Sequence, residues 1–162
     1  MLTFQKIIEW ILDKLKIIGA ACLVGMMFLT CADVVGRLFR HPIFGSVELV
    51  SFMSTLAVAM ALPYTHKLKG HIGVEILVRK FSLKTQTIID VCTGILSLAL
   101  FTVVTWRMNV YAHTMQGSGE VSMNLELPEH MIIYVVAFCF LIFLLIILQD
   151  TIQNIRKLRD NK

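Results

Sequence analysis

Four long apolar stretches constrain this chain more than any other feature of its sequence. The stretch from Ile17 is free of charge until Asp33, and the stretch from Met131 to Leu148 has no charged residue. A helix needs about 20 mostly apolar residues to cross a bilayer. Lipid admits only helices or closed barrels, and these stretches do not alternate as barrel strands do. We therefore predict an all-α integral membrane protein, a single membrane domain with transmembrane helices over 17–39, 47–64, 87–111 and 129–149.

The composition excludes most other classes of protein. Of the 162 residues, 57% are hydrophobic and 16% are charged, whereas a soluble chain has about 25% charged residues. A soluble domain of this size has too much surface for its volume to bury so much apolar area. A soluble enzyme, a disordered chain and a disulfide-rich secreted module are all excluded.

The first sixteen residues have a different pattern. Apolar residues recur at helical spacing from Phe4 to Leu15, and charged residues occupy the other face. This pattern predicts an amphipathic arm over 1–16 that lies in the membrane interface, anchored by Trp10, Lys14 and Lys16. A cleavable signal peptide is the alternative, but its basic segment would lack the two-faced pattern, and no convincing cleavage site follows.

Two further segments outside the spans carry a pattern. Residues 74–81 predict a short amphipathic segment between spans two and three, because their apolar side chains share one helix face. Residues 150–162 form a basic tail with apolar residues still in helical register. We expect this tail to prolong the fourth helix on the cytoplasmic side.

The basic residues predict the orientation. Twelve of the fifteen Lys and Arg residues lie before span one, between spans two and three, or after span four. In a four-span protein these regions share one side of the membrane. Cytoplasmic segments carry an excess of Lys and Arg, so both termini are predicted to be cytoplasmic. A count of three or five spans would spoil this asymmetry.

Three charged residues surround the connection between the first two spans. Asp33 and Arg37 are four residues apart and can pair on one helix face. Glu48 opens span two and could join them. An ion or substrate site is one interpretation. A structural polar cluster is favoured, since Asp33 lies only about 9 Å from the end of its span at 1.5 Å per residue.

The sequence shows no pattern typical of catalysis or cofactor binding. All five histidines lie at span ends or in connections, whereas haem or metal ligation in a helix bundle needs them in the core. We find no nucleophile arrangement and no phosphate-binding loop. We therefore predict no enzymatic activity, no cofactor and no nucleic acid partner. The residues alone indicate a membrane scaffold or accessory subunit.

Short motifs occur along most of the chain. They are Asp33-Val34-Val35-Gly36-Arg37, Gly45-Ser46-Val47-Glu48, Leu62-Pro63-Tyr64, Gly70-His71-Ile72-Gly73-Val74, and Ser122 with Leu127-Pro128 and Tyr134. Each motif is weak alone, but their order and spacing are specific. Together they resemble a known family, the small membrane subunit (the DctQ-like "Q" component) of tripartite ATP-independent periplasmic (TRAP) transporters.

The resemblance implies a function and partners. The chain would pair as a heterodimer with a large, elevator-type membrane subunit in the bacterial inner membrane and would act as its scaffold. A periplasmic substrate-binding protein would deliver an organic anion, such as a C4-dicarboxylate or a sialic acid, and an ion gradient, typically sodium, would drive import. Asp33, Arg37, Glu48 and His71 would set the helix arrangement or the subunit contact. Gly73 stands where the family often has a basic residue.

Three alternatives remain open on the residues. A membrane-anchor subunit of a respiratory complex would carry histidines in the middle of its spans. A small multidrug exporter would be shorter and would carry an acidic residue deep in span one. A purely structural membrane protein is opposed only by the family motifs.

Overall fold

The computed structural model describes residues 2–68 and 83–160. These residues form four helices: α1 (Leu2–Leu38), α2 (Ser46–Lys67), α3 (Leu83–Ser118) and α4 (Glu129–Asp160). Each helix contains a segment long and apolar enough to cross a membrane. The predicted all-α fold with four spans is therefore confirmed. The predicted amphipathic segment at 74–81 lies outside the described residues, and so does His71.

Three of the four helices in the described chain extend well beyond the predicted spans, whereas α2 exceeds its span by only a few residues. α3 has 36 residues and is about 54 Å long, against a hydrocarbon thickness of about 30 Å. The apolar runs mark only the part of each helix that suits lipid, and the polar flanks of α1, α3 and α4 contain no proline and remain helical. The basic tail is also helical up to Asp160, because α4 continues without a break beyond the fourth span, as expected.

The N-terminal arm differs from the prediction. Residues 2–38 form one continuous helix, with no break between the arm and span one. The apolar face of the arm is buried in the protein: Ile8, Leu12 and Leu15 belong to one cluster with residues of α2 and α4. These three residues pack against neighbouring helices, and the position of the arm in the membrane interface stays a prediction.

The helices do not pack in chain order. The main contacts join α1 to α2, α2 to α4 and α4 to α3, so α1 and α3 form the two flanks. Glycine permits the close approach of α1 and α2, because a Cβ on Gly19 would lie 3.3 Å from the Met60 Cβ and 3.5 Å from the Ala57 carbonyl oxygen. Small residues at helix contacts are the usual way for membrane helices to approach closely.

Aromatic and polar contacts set the antiparallel register of α3 and α4. The Phe101 ring packs against Phe143 and Phe140, with centroids 4.6 and 5.9 Å apart. Nearer the end of α3, the Tyr134 hydroxyl donates to Gln116 at 3.2 Å. The level of residue 140 on α4 therefore corresponds to about residue 103 on α3.

Two connections meet at one end of the bundle. Residues 39–45 join α1 to α2, and residues 119–128 join α3 to α4. We call this the connection end. The opposite end, which we call the terminal end, contains the first turns of α1, the last turns of α2 and the C-terminal part of α4.

Candidate functional site

Asp33 ties the end of α1 to the connection that follows it. Its Oδ2 accepts a hydrogen bond from Arg37 Nε at 2.8 Å, and its Oδ1 accepts one from the backbone N–H of Ile43 at 2.9 Å. The Asp33 side chain is only 10% exposed, whereas that of Arg37 is 59% exposed. The predicted pair between Asp33 and Arg37 is therefore present. The carboxylate also fixes a backbone group ten residues away.

The backbone of this first connection folds back tightly on α1. The N–H of His41 donates to the carbonyl of Gly36 at 2.8 Å. A Cβ on Gly36 would lie 2.5 Å from the carbonyl oxygen of His41, so a larger residue would obstruct the turn. Arg40 adopts a left-handed conformation with φ 62°. This turn brings Ile43 within reach of Asp33.

Glu48 binds the second connection. Its Oε1 accepts hydrogen bonds from the backbone N–H of Asn124 at 2.8 Å and from Asn124 Nδ2 at 2.7 Å. Its Oε2 accepts one from the backbone N–H of Leu125 at 3.1 Å. The sequence suggested that Glu48 could join Asp33 and Arg37. The structure instead uses this carboxylate to join segments that are 76 and 77 residues apart in the chain.

The fold of the second connection directs the N–H groups of Asn124 and Leu125 toward the Glu48 carboxylate. The N–H of Ser122 donates to the Leu127 carbonyl at 2.9 Å, and the N–H of Leu127 donates to Ser122 Oγ at 3.2 Å. The buried Ser122 thereby closes a short loop, which Glu126 completes with φ 51°. The N–H groups of residues 124 and 125 then point toward the first turn of α2.

Gly45 brings the two connections together. It precedes α2 with φ 72°, a conformation that side chains other than glycine rarely adopt. A Cβ here would lie 2.5 Å from Leu125 Cγ, so the Leu125 side chain covers this glycine directly. Ser46 follows with its hydroxyl buried near the Asp33 carboxylate. We call the assembly the polar cluster; it consists of Asp33, Arg37, Ser46, Glu48, Ser122 and Asn124.

The polar cluster is organised to hold backbone in place. Its two carboxylates accept hydrogen bonds mainly from the chain's own N–H groups, and such charge-assisted bonds are short and strong. Within residues 2–68 and 83–160, every fully buried side-chain N or O atom has a partner. The same residues contain no group of three or more metal-ligating side chains. This arrangement can fix helix positions, and it offers no vacant donor set for a ligand.

The remaining predicted residues lie elsewhere. Trp10 is exposed, with Lys14 Nζ 5.8 Å from its ring centroid. Lys16 pairs with Asp13 at 3.1 Å and lies 4.6 Å from the Tyr64 ring centroid. Lys16 therefore contacts α2 as well as its own helix. The anchoring of these three residues at the membrane interface stays a prediction.

Sequence reasoning missed the long-range partners. At the terminal end, Lys67 pairs with Glu9 at 2.9 Å and His66 lies 3.5 Å from Asp150. Neither pair has a local spacing that could have revealed it. Ser122 stood in the family motif, but nothing in the sequence distinguished Asn124 as a partner of Glu48.

The described chain is thus a multi-pass membrane protein with a polar cluster at one end. It belongs to the DctQ component family of the tripartite ATP-independent periplasmic transporters, whose family model matches residues 26–157. No curated protein and no solved structure matches the chain. The matched region includes every member of the polar cluster and begins after the N-terminal arm. The chain is therefore a component of a tripartite transporter.

Proposed function

We propose that this chain is the small scaffold subunit of a TRAP transporter and carries no catalytic site. It would support a large elevator-type membrane subunit, which would bind the substrate and the coupling ion. The family match carries this proposal, and the polar cluster supports it, because a scaffold needs fixed helices more than reactive groups. The transported substrate would be an organic anion, such as a C4-dicarboxylate or a sialic acid, imported with a sodium gradient.

The proposal includes an orientation in the bacterial inner membrane. Both termini would be cytoplasmic, which places the connection end in the periplasm. The distribution of the basic residues supports this, since twelve of fifteen belong to segments on the terminal side. A periplasmic binding protein would then approach the side of the bundle that the polar cluster holds in place.

The polar cluster has a defined part in this scaffold. Asp33 and Glu48 each fix the backbone of one connection, and α2 begins between them. We propose that Asp33, Arg37 and Glu48 set the helix arrangement on the periplasmic side. His71, between spans two and three in the sequence, would be a polar residue that sets the helix arrangement or the subunit contact.

Purification with the partner tests the proposal. The chain is extracted from its native membranes in mild detergent, and the proteins that co-purify are identified by mass spectrometry. We expect a large polytopic membrane protein in stoichiometric amount. Recovery of the chain alone, under conditions that keep other membrane complexes whole, would overturn the proposal. A Soret absorption band in the purified material would instead support a respiratory membrane anchor.

Transport is the second part of the test. The two membrane subunits are reconstituted in liposomes, and uptake of candidate anions is measured with the binding protein present. We expect uptake only with both membrane subunits, and only with an inward sodium gradient. Uptake by the large subunit alone at an unchanged rate would contradict a required scaffold role.

A further inference from the structure

The outward face of α3 carries polar groups that the described chain leaves uncovered. In the most apolar part of this helix, no residue is buried. An exposed ridge of Val103, Trp106 and Val110 runs along the side away from α4. Arg107 and Asn109, both exposed, lie on opposite sides of this ridge, about 160° apart at 100° per residue.

The register with α4 places these two polar residues at the depth of the lipid tails. The uncharged part of α4 runs from 131 to 149, and its middle lies level with about residue 103 of α3. At 1.5 Å per residue, Arg107 is about 6 Å and Asn109 about 9 Å from that level. Measured from residue 99, the middle of the predicted span 87–111, the distances are about 12 and 15 Å. Both residues therefore lie between the middle and the edge of the hydrocarbon, whose half-thickness is about 15 Å.

Neither side chain has a hydrogen-bonding or ionic partner among residues 2–68 and 83–160. The nearby threonines differ, because Thr102 and Thr105 donate to backbone carbonyls of their own helix at 2.6 and 2.7 Å. Those hydroxyls are satisfied and tolerate lipid. An unpaired arginine or amide at this depth is costly in lipid, so such residues usually face protein and have a partner.

A groove beside the ridge offers room for that partner. It lies between α3 and α4, has a volume of about 530 Å³, and is lined in part by Trp106, Asn109, Leu141 and Leu144. It is open along one side, and its walls combine apolar side chains with Asn109, His113 and three threonines. Such a surface suits the side chains of a neighbouring transmembrane helix that also supplies hydrogen-bonding groups.

We propose that the outward face of α3 binds a transmembrane helix of the large membrane subunit. That helix would present carboxylate or carbonyl oxygens at the level of Arg107 and Asn109, and an apolar side chain would enter the groove. This inference rests on the proposed function, because the partner is the large subunit of the same transporter. The charge of Arg107 defines the chemistry that the partner must supply.

Photo-crosslinking in native membranes tests the contact. Benzoylphenylalanine replaces Trp106 in one variant and Phe28, an exposed residue of the opposite flank on α1, in a control. After illumination we expect an adduct of the large subunit, identified by mass spectrometry, from position 106 and none from position 28. Adducts at position 106 with lipid alone, while the large subunit still co-purifies, would overturn this inference and leave the proposed function standing. Failure of the large subunit to co-purify at all would overturn both.

Substitution tests the polar contribution. We expect R107L combined with N109L to lower recovery of the large subunit by about tenfold, because its oxygens would face apolar side chains. R107K keeps the charge and should retain most of the recovery. The double variant should keep the detergent stability of the isolated chain, since neither side chain has a partner within it. Unchanged recovery of the large subunit in the double variant would contradict the proposal.

Discussion

The two ends of the bundle use the same kinds of charged residue in different ways. At the connection end, Asp33 and Glu48 accept hydrogen bonds from backbone N–H groups of the two connections. At the terminal end, Glu9 and Asp150 meet the side chains of Lys67 and His66, and these carboxylates are about half exposed. A carboxylate bound to backbone fixes the path of the chain, whereas an exposed side-chain pair contributes little.

Because its carboxylates bind backbone N–H groups, we expect the connection end to be the more rigid part of the scaffold. The terminal end is held mainly by the buried cluster that contains Leu12, Met60 and Ile146. Its ion pairs lie at the margin of that cluster. Substitutions at the two ends should therefore have unequal effects, and matched pairs of substitutions can show this.

The largest effect is expected for Gly45→Ala. The left-handed conformation costs a side chain about 1–2 kcal/mol, and the new Cβ would also collide with Leu125. We expect the melting temperature in detergent to fall by about 5 °C or more. Two controls separate the causes: Gly119 shares the positive φ but has open space, and Gly117 has open space in an ordinary helix. Gly119→Ala should lower the melting temperature less, and Gly117→Ala should not lower it, because alanine is the better helix former. Equal losses at positions 45 and 119 would contradict the proposed collision.

The next effect is expected for Glu48→Gln. One side-chain oxygen can still accept from Asn124, but the new amide group faces the N–H of Leu125 with a donor. The second connection should loosen and the melting temperature should fall. The matched change Glu9→Gln removes the same charge from the terminal end and should alter the melting temperature little. If both variants melt at the same temperature, the contrast between the ends is wrong.

A smaller effect is expected for Asp33→Asn. The asparagine oxygen can still accept from the N–H of Ile43, so the main loss is the bond with Arg37. We expect a modest loss of detergent stability, measured against the matched change Asp13→Asn, whose carboxylate forms an exposed pair with Lys16. A greater loss at position 13 would contradict the assigned role of Asp33.

The smallest effect is expected for Lys67→Gln. Exposed ion pairs contribute about 0–1 kcal/mol and are screened by salt. The melting temperature should change by a degree or less, and 0.5 M salt should remove the difference. A large loss that persists in high salt would show that the terminal end also depends on its ion pairs.

The sequence predicted the features that depend on local pattern. Apolar runs predicted four spans, and the spacing of Asp33 and Arg37 predicted their pair. It missed the continuity of α1, because an amphipathic face looks alike whether it contacts lipid or protein. The partners of Glu48 lie 76 and 77 residues away and depend on how two connections meet in space. The depth of Arg107 in the membrane depends on the register of α3 against α4. The hydropathy of a single helix does not reveal that register.

Hydrogen exchange of the backbone amides is the most direct measurement of the central claim, that the connection end is rigid. Site-resolved exchange is recorded for the chain in detergent or in the complex, with attention to Ile43, Asn124 and Leu125. These amides lie in connections without regular secondary structure, yet each donates to a carboxylate. We predict protection close to that of the adjoining helix ends. Exchange at the rate of an unstructured loop would contradict the claim that the polar cluster holds the two connections in place.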